Sequence, residues 1–363
     1  MKFIGRILAF VLLGINALVV LLMLVSAYSP YIDPYLHPMW SCSGLLFPVF
    51  LLANLLFLCF WAVVYWRYAF FPLLAFFCCW GSVRTYFPIN FSQDEAPENA
   101  IKILSYNTCA FGNREKHTKA KPNRTLSYLQ ESDADIICLQ EYIVGGELKK
   151  KDVDYALRKY PYRHYHKLGK SNSRNGLGCY SKYPILSATP VKYNSVGNGS
   201  VAYQIKVGND TLLVINNHLE TNRISESDVD IYNNDVIESR DGKKMSSGMW
   251  KLMKKMAAAI KIRAKQAEAV AEHAEGFQRK GVVFCGDLND IPISYAHRMM
   301  SKGMKDAYTE SGNGPGFSYN QHRMFFRIDH ILLSKNLKAY YCTVDNSIDA
   351  SDHYPIWCYI SWE

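Results

Sequence analysis

The chain of 363 residues begins with long apolar runs and continues with short ones. The apolar segments span residues 7–28, 44–66 and 68–84. A helix rises about 1.5 Å per residue, so roughly 20 residues cross a ~30 Å hydrocarbon core, and the first two segments are long enough. The third is shorter and contains Pro72 near its start, where a helix tolerates proline. The pattern predicts a membrane anchor of two or three transmembrane helices within residues 1–90.

After a linker at residues 91–100, short apolar runs alternate with amphipathic stretches and turns. Gly208 lies in a Gly-Asn-Asp turn between two such runs, which is typical of a β-hairpin. Hairpins mixed with helices favour a layered α/β sandwich over a purely parallel sheet, in one domain at residues 101–363 with an insertion at about 221–247. The predicted strands cover residues 101–106, 135–139, 176–180, 201–207, 212–217, 282–285, 328–333 and 356–360, and the predicted helices cover 124–131, 152–159, 248–277 and 295–302.

The predicted helix at 248–277 has two contrasting faces. A stripe of Met, Leu, Ile and Ala residues at helical spacing, from Met249 to Ala274, is typical of a helix that packs on a core. The opposite face carries five lysines and Arg263. We expect this face to lie in solvent, and contact with anionic lipid or nucleic acid is the alternative.

Composition excludes two broad classes of protein. With 49% hydrophobic residues, the chain has enough apolar surface to fold, so it is not intrinsically disordered. The ten cysteines include neither a C-x-x-C pair nor a Cys/His spacing typical of zinc, and the chain is too long to depend on a disulfide framework.

Charge is distributed unevenly along the chain. The formal net charge is +9, but residues 1–90 contain only four basic residues and Asp33, which leaves 37 basic and 31 acidic residues, a net +6, in the rest. Lys2, Arg6 and Arg67 would lie on one side of the spans, which predicts a cytoplasmic N-terminus. Three crossings then place the domain on the extracytoplasmic side of the inner membrane, whereas a re-entrant third segment would leave it in the cytoplasm.

Polar residues suited to catalysis cluster at the ends of predicted strands. Taken alone, Glu141 is commonly a surface residue and His218 commonly a structural histidine. The Gly-Asp-x-Asn run is more specific, because glycine permits close backbone approach and places a carboxylate and an amide at a fixed offset. The set comprises Asn107, Gln140-Glu141, Asn217-His218, Gly286-Asp287-Leu288-Asn289-Asp290, Ile328-Asp329-His330 and Ser351-Asp352-His353.

In this order, these segments resemble the endonuclease/exonuclease/phosphatase superfamily, which includes pancreatic-type deoxyribonucleases and magnesium-dependent sphingomyelinases. The resemblance covers about residues 101–360, and the chain resembles a membrane-anchored bacterial member. It implies an α/β fold, a four-layer sandwich of two packed mixed sheets flanked by helices, with a divalent-metal site at one edge. The implied cofactor is Mg²⁺, with Mn²⁺ as a substitute. By matching position, the resemblance implies that Glu141 would be the principal metal ligand, that Asn107 would support it, and that Asp352 would lie in or just outside the metal shell.

The resemblance also implies five catalytic residues. Asp287 would orient or deprotonate the attacking water, and Asn289 would hydrogen-bond the scissile phosphate. His353 would act at the phosphorus, steered by Asp329, while His218 would stabilise charge or assist the leaving group. These residue types suit the reaction, since a hard cation neutralises the phosphate and a histidine exchanges protons near neutral pH.

The leading expectation is therefore a membrane-anchored, Mg²⁺-dependent phosphoesterase that hydrolyses a phosphodiester in a lipid headgroup, a nucleic acid or a nucleotide-like molecule. Cys109 stands where apurinic endonucleases usually carry a second Asn or Asp, which lowers the expectation of abasic-site repair. The alternatives are a catalytically silent scaffold and a nuclease on the extracytoplasmic side. The expected partners are the bilayer and the phosphate ester, without an obligate protein partner. An apolar rim beside Asp287 would favour lipid, and an open basic groove would favour nucleic acid.

Overall fold

The computed structural model describes residues 2–92, 94–118, 120–169, 175–277, 280–321 and 324–363. Two six-stranded mixed sheets form the domain that follows the apolar segments. Across the first sheet the order is Leu337–Val344 (β11), Ile356–Trp362 (β12), Ile101–Asn107 (β1), Ile136–Gln140 (β2), Gly176–Ser181 (β4) and Tyr162–Lys167 (β3). Across the second it is Ile185–Pro190 (β5), Gly199–Val207 (β6), Asp210–His218 (β7), Val282–Asp287 (β8), Asp329–Ser334 (β10) and Met304–Asp306 (β9).

Helices precede the sheets and cover their outer faces. Asp241 caps the longest one, accepting a hydrogen bond from the Lys243 amide, so this helix begins six residues earlier than the apolar stripe predicts. The helices are Lys2–Ala27 (α1), Pro38–Ser41 (α2), Phe47–Val64 (α3), Trp66–Cys78 (α4), Trp80–Tyr86 (α5), Arg124–Glu131 (α6), Lys150–Ala156 (α7), Glu226–Asp230 (α8), Gly242–Ala274 (α9), Tyr295–Met300 (α10) and Ala307–Ser311 (α11). A π-helical turn, Ile231–Ile237, follows α8, and Cys109–Arg114 forms a compact left-handed turn.

Three apolar cores hold these layers together. Between the sheets, side chains such as Ile103 and Val214 are fully buried, as the inward positions of both sheets require. On the outside of the first sheet, Leu126 and Val153 anchor α6 and α7. On the outside of the second, one stripe of α9 packs with α10 against the sheet. The four-layer α/β sandwich expected from the sequence is confirmed.

The apolar N-terminal helices pack together and against the domain. By length and composition, Ile4–Ala27 and Pro38–Val64 are able to cross a membrane, and Trp66–Cys78 is a shorter apolar helix. The Asn16 amide donates to Asn54 Oδ1 at 3.2 Å, the kind of bond that joins helices in an apolar medium. The third predicted segment differs from expectation, because it divides at Cys79 into α4 and α5.

One end of this helical bundle lies on the domain. Tyr28 at the end of α1 donates to the Cys78 carbonyl at the end of α4, so the two helices finish side by side. Phe47 at the start of α3 belongs to the same buried cluster as Ile293 and Ile328 of the domain. The helix ends near residues 27, 47 and 79 therefore meet the loops at one edge of the sandwich.

A pair of buried amides joins the two sheets next to that edge. Asn216 in β7 is fully buried and accepts a hydrogen bond from Gln140 Nε2 of the first sheet at 2.6 Å. Its own amide donates at 3.1 Å each to the backbone carbonyls of Leu139 and Gly178, which also belong to the first sheet. Three hydrogen bonds from one side chain thus fix the spacing between the sheets.

We expect Asn216→Leu to lower the free energy of unfolding by about 2–4 kcal/mol, because it removes these bonds and leaves buried polar groups unpaired. Denaturant unfolding of the detergent-solubilised full chain measures the change. Asn209→Leu, at an exposed hairpin turn, is the control and should have little effect. Equal stability of the two variants would contradict the assigned role of Asn216.

Candidate active site

Strand ends from both sheets meet at the edge that the amide pair joins. The parallel strands β1 and β2 end together, with Asn107 beside Gln140, and Glu141 follows directly. In the second sheet, β7 and β8 are also parallel and end together, with His218 beside Asp287. Asp329 begins β10 opposite Asp287. The topology therefore brings residues from distant parts of the chain to one place.

Asp287 lies at the centre of this group. Asn107 Nδ2 is 3.0 Å from Asp287 Oδ2 and 3.3 Å from Glu141 Oε1, so one amide joins the two carboxylates. His218 Nε2 lies 3.7 Å from Asp287 Oδ2 and 3.8 Å from Glu141 Oε1. His353 Nε2 approaches the same Asp287 oxygen at 3.7 Å from another side.

A second carboxylate orients His353. Asp329 Oδ2 lies 2.7 Å from His353 Nδ1, which leaves Nε2 directed toward Asp287. Ser318 holds Asp329 in place, because Ser318 Oγ accepts a hydrogen bond from the Asp329 backbone amide at 3.0 Å. The Tyr319 ring packs edge-on against the imidazole, with ring centroids 5.3 Å apart. These contacts therefore fix the orientation of the imidazole ring, with Nδ1 facing Asp329.

The Gly-Asp-x-Asn run depends on its glycine. Gly286 has φ of +130°, and a Cβ there would lie 2.0 Å from the Asn217 carbonyl oxygen, so a larger residue would displace β7. The Asn289 backbone amide donates to Asp287 Oδ1 at 2.7 Å. Asn289 Nδ2 donates to the Leu219 carbonyl at 3.0 Å and lies 3.3 Å from Asp287 Oδ2. The run thus holds the Asp287 carboxylate in a single orientation.

Burial shifts the proton affinities of these groups in different directions. Burial raises the pKa of Asp287 to about 6, although His353 opposes the shift. It also raises the pKa of Glu141 and lowers the pKa of His218. For His353, burial lowers the pKa, but the carboxylates of Asp329 and Asp287 outweigh it and raise the pKa well above its usual range. The site therefore holds several carboxyl groups and one histidine, His353, that favours its positively charged form.

The donor set fits a hard divalent cation. One ligand atom each from Asp287, Asp329 and His353 lie within 4.8 Å of one another. Asp329 Oδ1 is buried and has no hydrogen-bond partner among the described residues. Glu141 and Asn107 add a carboxylate and an amide beside Asp287. Oxygen ligands in excess, without a thiolate, suit Mg²⁺ or Mn²⁺ better than zinc.

These groups surround a cavity of about 220 Å³, which we call the catalytic cavity. Among the predicted site residues, Asn107 and Asp329 lie behind its wall. The other six are in the lining: Glu141, His218, Asp287, Asn289, Asp352 and His353. All eight predicted site residues thus lie in one region, and their individual roles remain predictions.

Arg263 and Tyr319 also line the cavity, although the sequence did not predict them as part of a site. Arg263, expected on the solvated face of the long helix, is only 2% exposed and donates to Asp290 Oδ2 at 3.1 Å. It also donates to the Glu220 carbonyl and to Asn222 Oδ1, so its charge is committed within the protein. Tyr319 was missed because no neighbouring motif marks it.

His330, which follows Asp329 in the set of polar strand ends, does not line the cavity. Its Nε2 is 2.9 Å from the Asp290 carbonyl oxygen, and its ring packs against His297 with centroids 4.7 Å apart. Because His330 is buried behind the catalytic cavity, it is a structural residue of this edge and not part of the lining.

Comparison with known proteins agrees with this geometry. A model of the Endonuclease/Exonuclease/phosphatase family matches residues 104–353, and a model described as a domain of unknown function matches residues 8–86. A search of curated protein sequences finds no match.

Solved structures share the fold at low identity. An endonuclease/exonuclease/phosphatase from Beutenbergia cavernae is 15% identical with a TM-score of 0.51, covering 72% of each chain. The human Nocturnin catalytic domain, solved with bound sulfate, is 15% identical with a TM-score of 0.51, covering 75% of this chain and 98% of that one. An endonuclease/exonuclease/phosphatase from Bacteroides vulgatus is 14% identical with a TM-score of 0.50, covering 73% and 99%.

The family match at residues 104–353 extends over most of the chain. The chain belongs to the Endonuclease/Exonuclease/phosphatase family, whose members are metal-dependent hydrolases of phosphoester bonds.

Proposed function

We propose that this protein is a membrane-anchored, Mg²⁺-dependent phosphoesterase that hydrolyses a phosphodiester by in-line attack of water. The observation that supports it best is the position of Asp287. Its Oδ2 atom lies within 3.7 Å of two histidine nitrogens and within hydrogen-bond distance of Asn107. A carboxylate surrounded in this way can accept a proton from water while histidines stabilise the phosphate.

In the proposed site, Glu141 would hold the metal ion with support from Asn107, and Asp352 would lie in or just outside the metal shell. Asn107 Nδ2 lies 3.3 Å from Glu141 Oε1, and Asn107 Oδ1 accepts a hydrogen bond from the Cys109 amide at 3.1 Å, so in this arrangement Asn107 supports the metal by orienting Glu141. When bound, the ion supplies charge neutralisation for the phosphate oxygens and lowers the barrier to attack by a nucleophile.

The chain's own groups perform the proton transfers. Asp287 orients the water and takes its proton as the new oxygen–phosphorus bond forms. His353, held charged by Asp329, donates hydrogen bonds to the phosphate, and His218 stabilises the departing oxygen as the second oxygen–phosphorus bond breaks. Asn289 holds Asp287 in place, and contact with the phosphate would require it to exchange one of its present bonds.

Membrane attachment is the second part of the proposal. The ends of the helical bundle near residues 27, 47 and 79 meet the domain, whereas Arg6 and Arg67 belong to the opposite end, as three crossings with a cytoplasmic N-terminus would place them. Trp250 on α9 is 54% exposed, and Lys254 lies over its ring, a combination common at membrane surfaces. The Trp250–Lys254 pair supports a domain seated on a membrane surface, and the arrangement of the helix ends supports the extracytoplasmic side.

We expect Asp287→Asn to reduce kcat/KM for bis(p-nitrophenyl) phosphate by about 10²–10⁴-fold with Mg²⁺ or Mn²⁺ present, because the amide cannot accept the water proton. The full chain in detergent is assayed by p-nitrophenolate release. Asp210→Asn, at an exposed turn, is the matched control and should retain full activity. A wild-type chain without turnover of any phosphodiester would favour a catalytically silent scaffold.

The metal assignment has a separate test that does not require turnover. We expect Glu141→Gln to weaken Mn²⁺ binding about 10–100-fold in calorimetric titration of the full chain, because it removes a charged oxygen ligand. Glu147→Gln, an exposed residue in the next loop, should bind Mn²⁺ as the wild type does. Unchanged affinity in Glu141→Gln would refute its role as a ligand.

The orientation is testable with reporters fused to the C-terminus in a bacterial host. A domain outside the cytoplasm should give an active alkaline phosphatase fusion and a dark green-fluorescent-protein fusion, because alkaline phosphatase forms its disulfides only in an oxidising compartment. Fusions after residue 66 should give the opposite result. The reverse pattern at the C-terminus would place the domain in the cytoplasm and exclude three crossings.

A further inference from the structure

A second cavity of about 250 Å³ adjoins the catalytic cavity, and we call it the apolar chamber. Its lining is almost entirely aliphatic, aromatic or thioether: Cys42, Leu45, Leu46, Val49, Ile224, Asp228, Tyr232, Val236, Ile237, Met249, Leu252, Met253, Met256, Met324 and Phe326. The one charged side chain in this set, Asp228, is ion-paired with Lys255. The chamber therefore offers few polar partners to a ligand.

The two cavities share a wall. Five side chains line both of them: Leu45, Ile224, Met256, Met324 and Phe326. Each cavity alone is smaller than the roughly 300–1,000 Å³ of ordinary ligand sites. A substrate whose phosphate lies beside Asp287 would have one ester substituent directed at this shared wall, and that substituent would enter the second cavity when the flexible methionines of the wall move aside.

Three separate parts of the chain build the chamber. One wall is the turn into α3, where Leu46 is 36% and Val49 60% exposed. The insertion supplies Val236 and Ile237. The first half of α9 supplies Met249, so that part of its stripe, predicted to pack on a core, lines a cavity instead.

The position of the turn into α3 gives the chamber access to lipid. The helical segment Pro38–Val64, which contains α3, is one of two segments able to cross a membrane, and Leu46 and Val49 lie near its domain end. An acyl chain leaving the bilayer at this point would pass from hydrocarbon to apolar side chains without crossing water. Unbranched methionines such as Met253 and Met256 adapt to flexible chains.

The same lining disfavours a nucleotide or nucleic acid. A base and its sugar would bury hydrogen-bonding groups against Met and Ile side chains, at a cost of about 1–3 kcal/mol for each unpaired group. Recognition of a polynucleotide also requires several free basic residues. Among the described residues that line the catalytic cavity, Arg263 is the one Lys or Arg, and its charge is already paired with Asp290.

We propose that the substrate is an amphiphilic phosphodiester of the membrane, with its phosphate beside Asp287 and one acyl or alkyl chain in the apolar chamber. This inference rests on the proposed function and specifies its substrate class. It assigns the insertion and the turn into α3 to substrate binding, in addition to any role in anchoring.

The test uses p-nitrophenyl alkyl phosphates, which share a leaving group and a phosphate but differ in the alkyl chain. Each methylene group that is buried from water raises binding affinity by up to about fourfold. We therefore expect kcat/KM of the full chain to be at least 100-fold higher for the octyl than for the methyl ester. The protein is held in lipid-free amphipol so that bilayer lipid does not compete.

Two variants of the apolar chamber test whether its lining determines the octyl-to-methyl ratio of kcat/KM. Val236→Trp, which fills the chamber, and Met249→Gln, which makes it polar, should each lower the octyl-to-methyl ratio tenfold or more. Met245→Gln, one turn earlier on α9, is 45% exposed and should leave both rates unchanged. Far-UV circular dichroism checks folding, and calorimetric titration with octylphosphonate should show weaker binding in both chamber variants.

The outcomes separate the two proposals. Hydrolysis of both esters with a ratio near one, or an unchanged ratio in folded chamber variants, overturns the lipid inference and leaves the phosphodiesterase in place. Faster turnover of thymidine 5′-(p-nitrophenyl phosphate) than of the octyl ester also overturns it. Failure to hydrolyse every ester, with octylphosphonate unbound, removes the proposed function and this inference together.

Discussion

The spacing between the two sheets is the constraint on which the site depends. Asn107 and Glu141 belong to the first sheet and its edge, whereas His218 and Asp287 belong to the second, so no single element holds the site. Asn216 fixes this spacing with three hydrogen bonds across the core. Displacement of reacting groups by about 1 Å lowers the rate of an enzyme by orders of magnitude. Apolar contacts alone would allow the two sheets to slide past each other, whereas the directional hydrogen bonds of a buried amide network hold them in one position.

The electrostatics of the site follow from that geometry. Bringing Asp287, Glu141 and Asp329 together in a buried place raises the pKa of the first two, because there is little water to solvate their charge. The two histidines respond differently: His353, backed by Asp329, is held in its charged form, while burial favours neutral His218. A divalent cation would relieve the repulsion between the acids, which is why an oxygen-rich site of this kind suits a hard metal ion.

Much of the fold was predictable from the sequence because the central strands are buried on both faces and form continuous apolar runs. The four strands that were missed, β3, β5, β9 and β11, are the edges of the two sheets, where exposure interrupts the apolar pattern. The polar strand ends, in their order along the chain, led to eight residues that the structure brings together at one edge of the sandwich, and the roles of these residues remain predictions. The order of strand ends did not locate Arg263, since a lysine-rich helical face indicates solvent and its partner, Asp290, is distant in sequence.

The N-terminal segment contributes more than attachment would require. A tether needs only a flexible linker, yet Phe47, Cys79 and Tyr86 share a buried cluster with Ile291 and Ile328, which also line the catalytic cavity. Arg327 additionally hydrogen-bonds the Thr85 carbonyl, beside the bundle. Burial of this contact fixes the mouth of the cavity relative to the helices. If those helices cross the bilayer, this packing holds Asp287 at a fixed distance from the acyl chains of the membrane. Such an arrangement would raise the rate most for a substrate that stays in the membrane during the reaction.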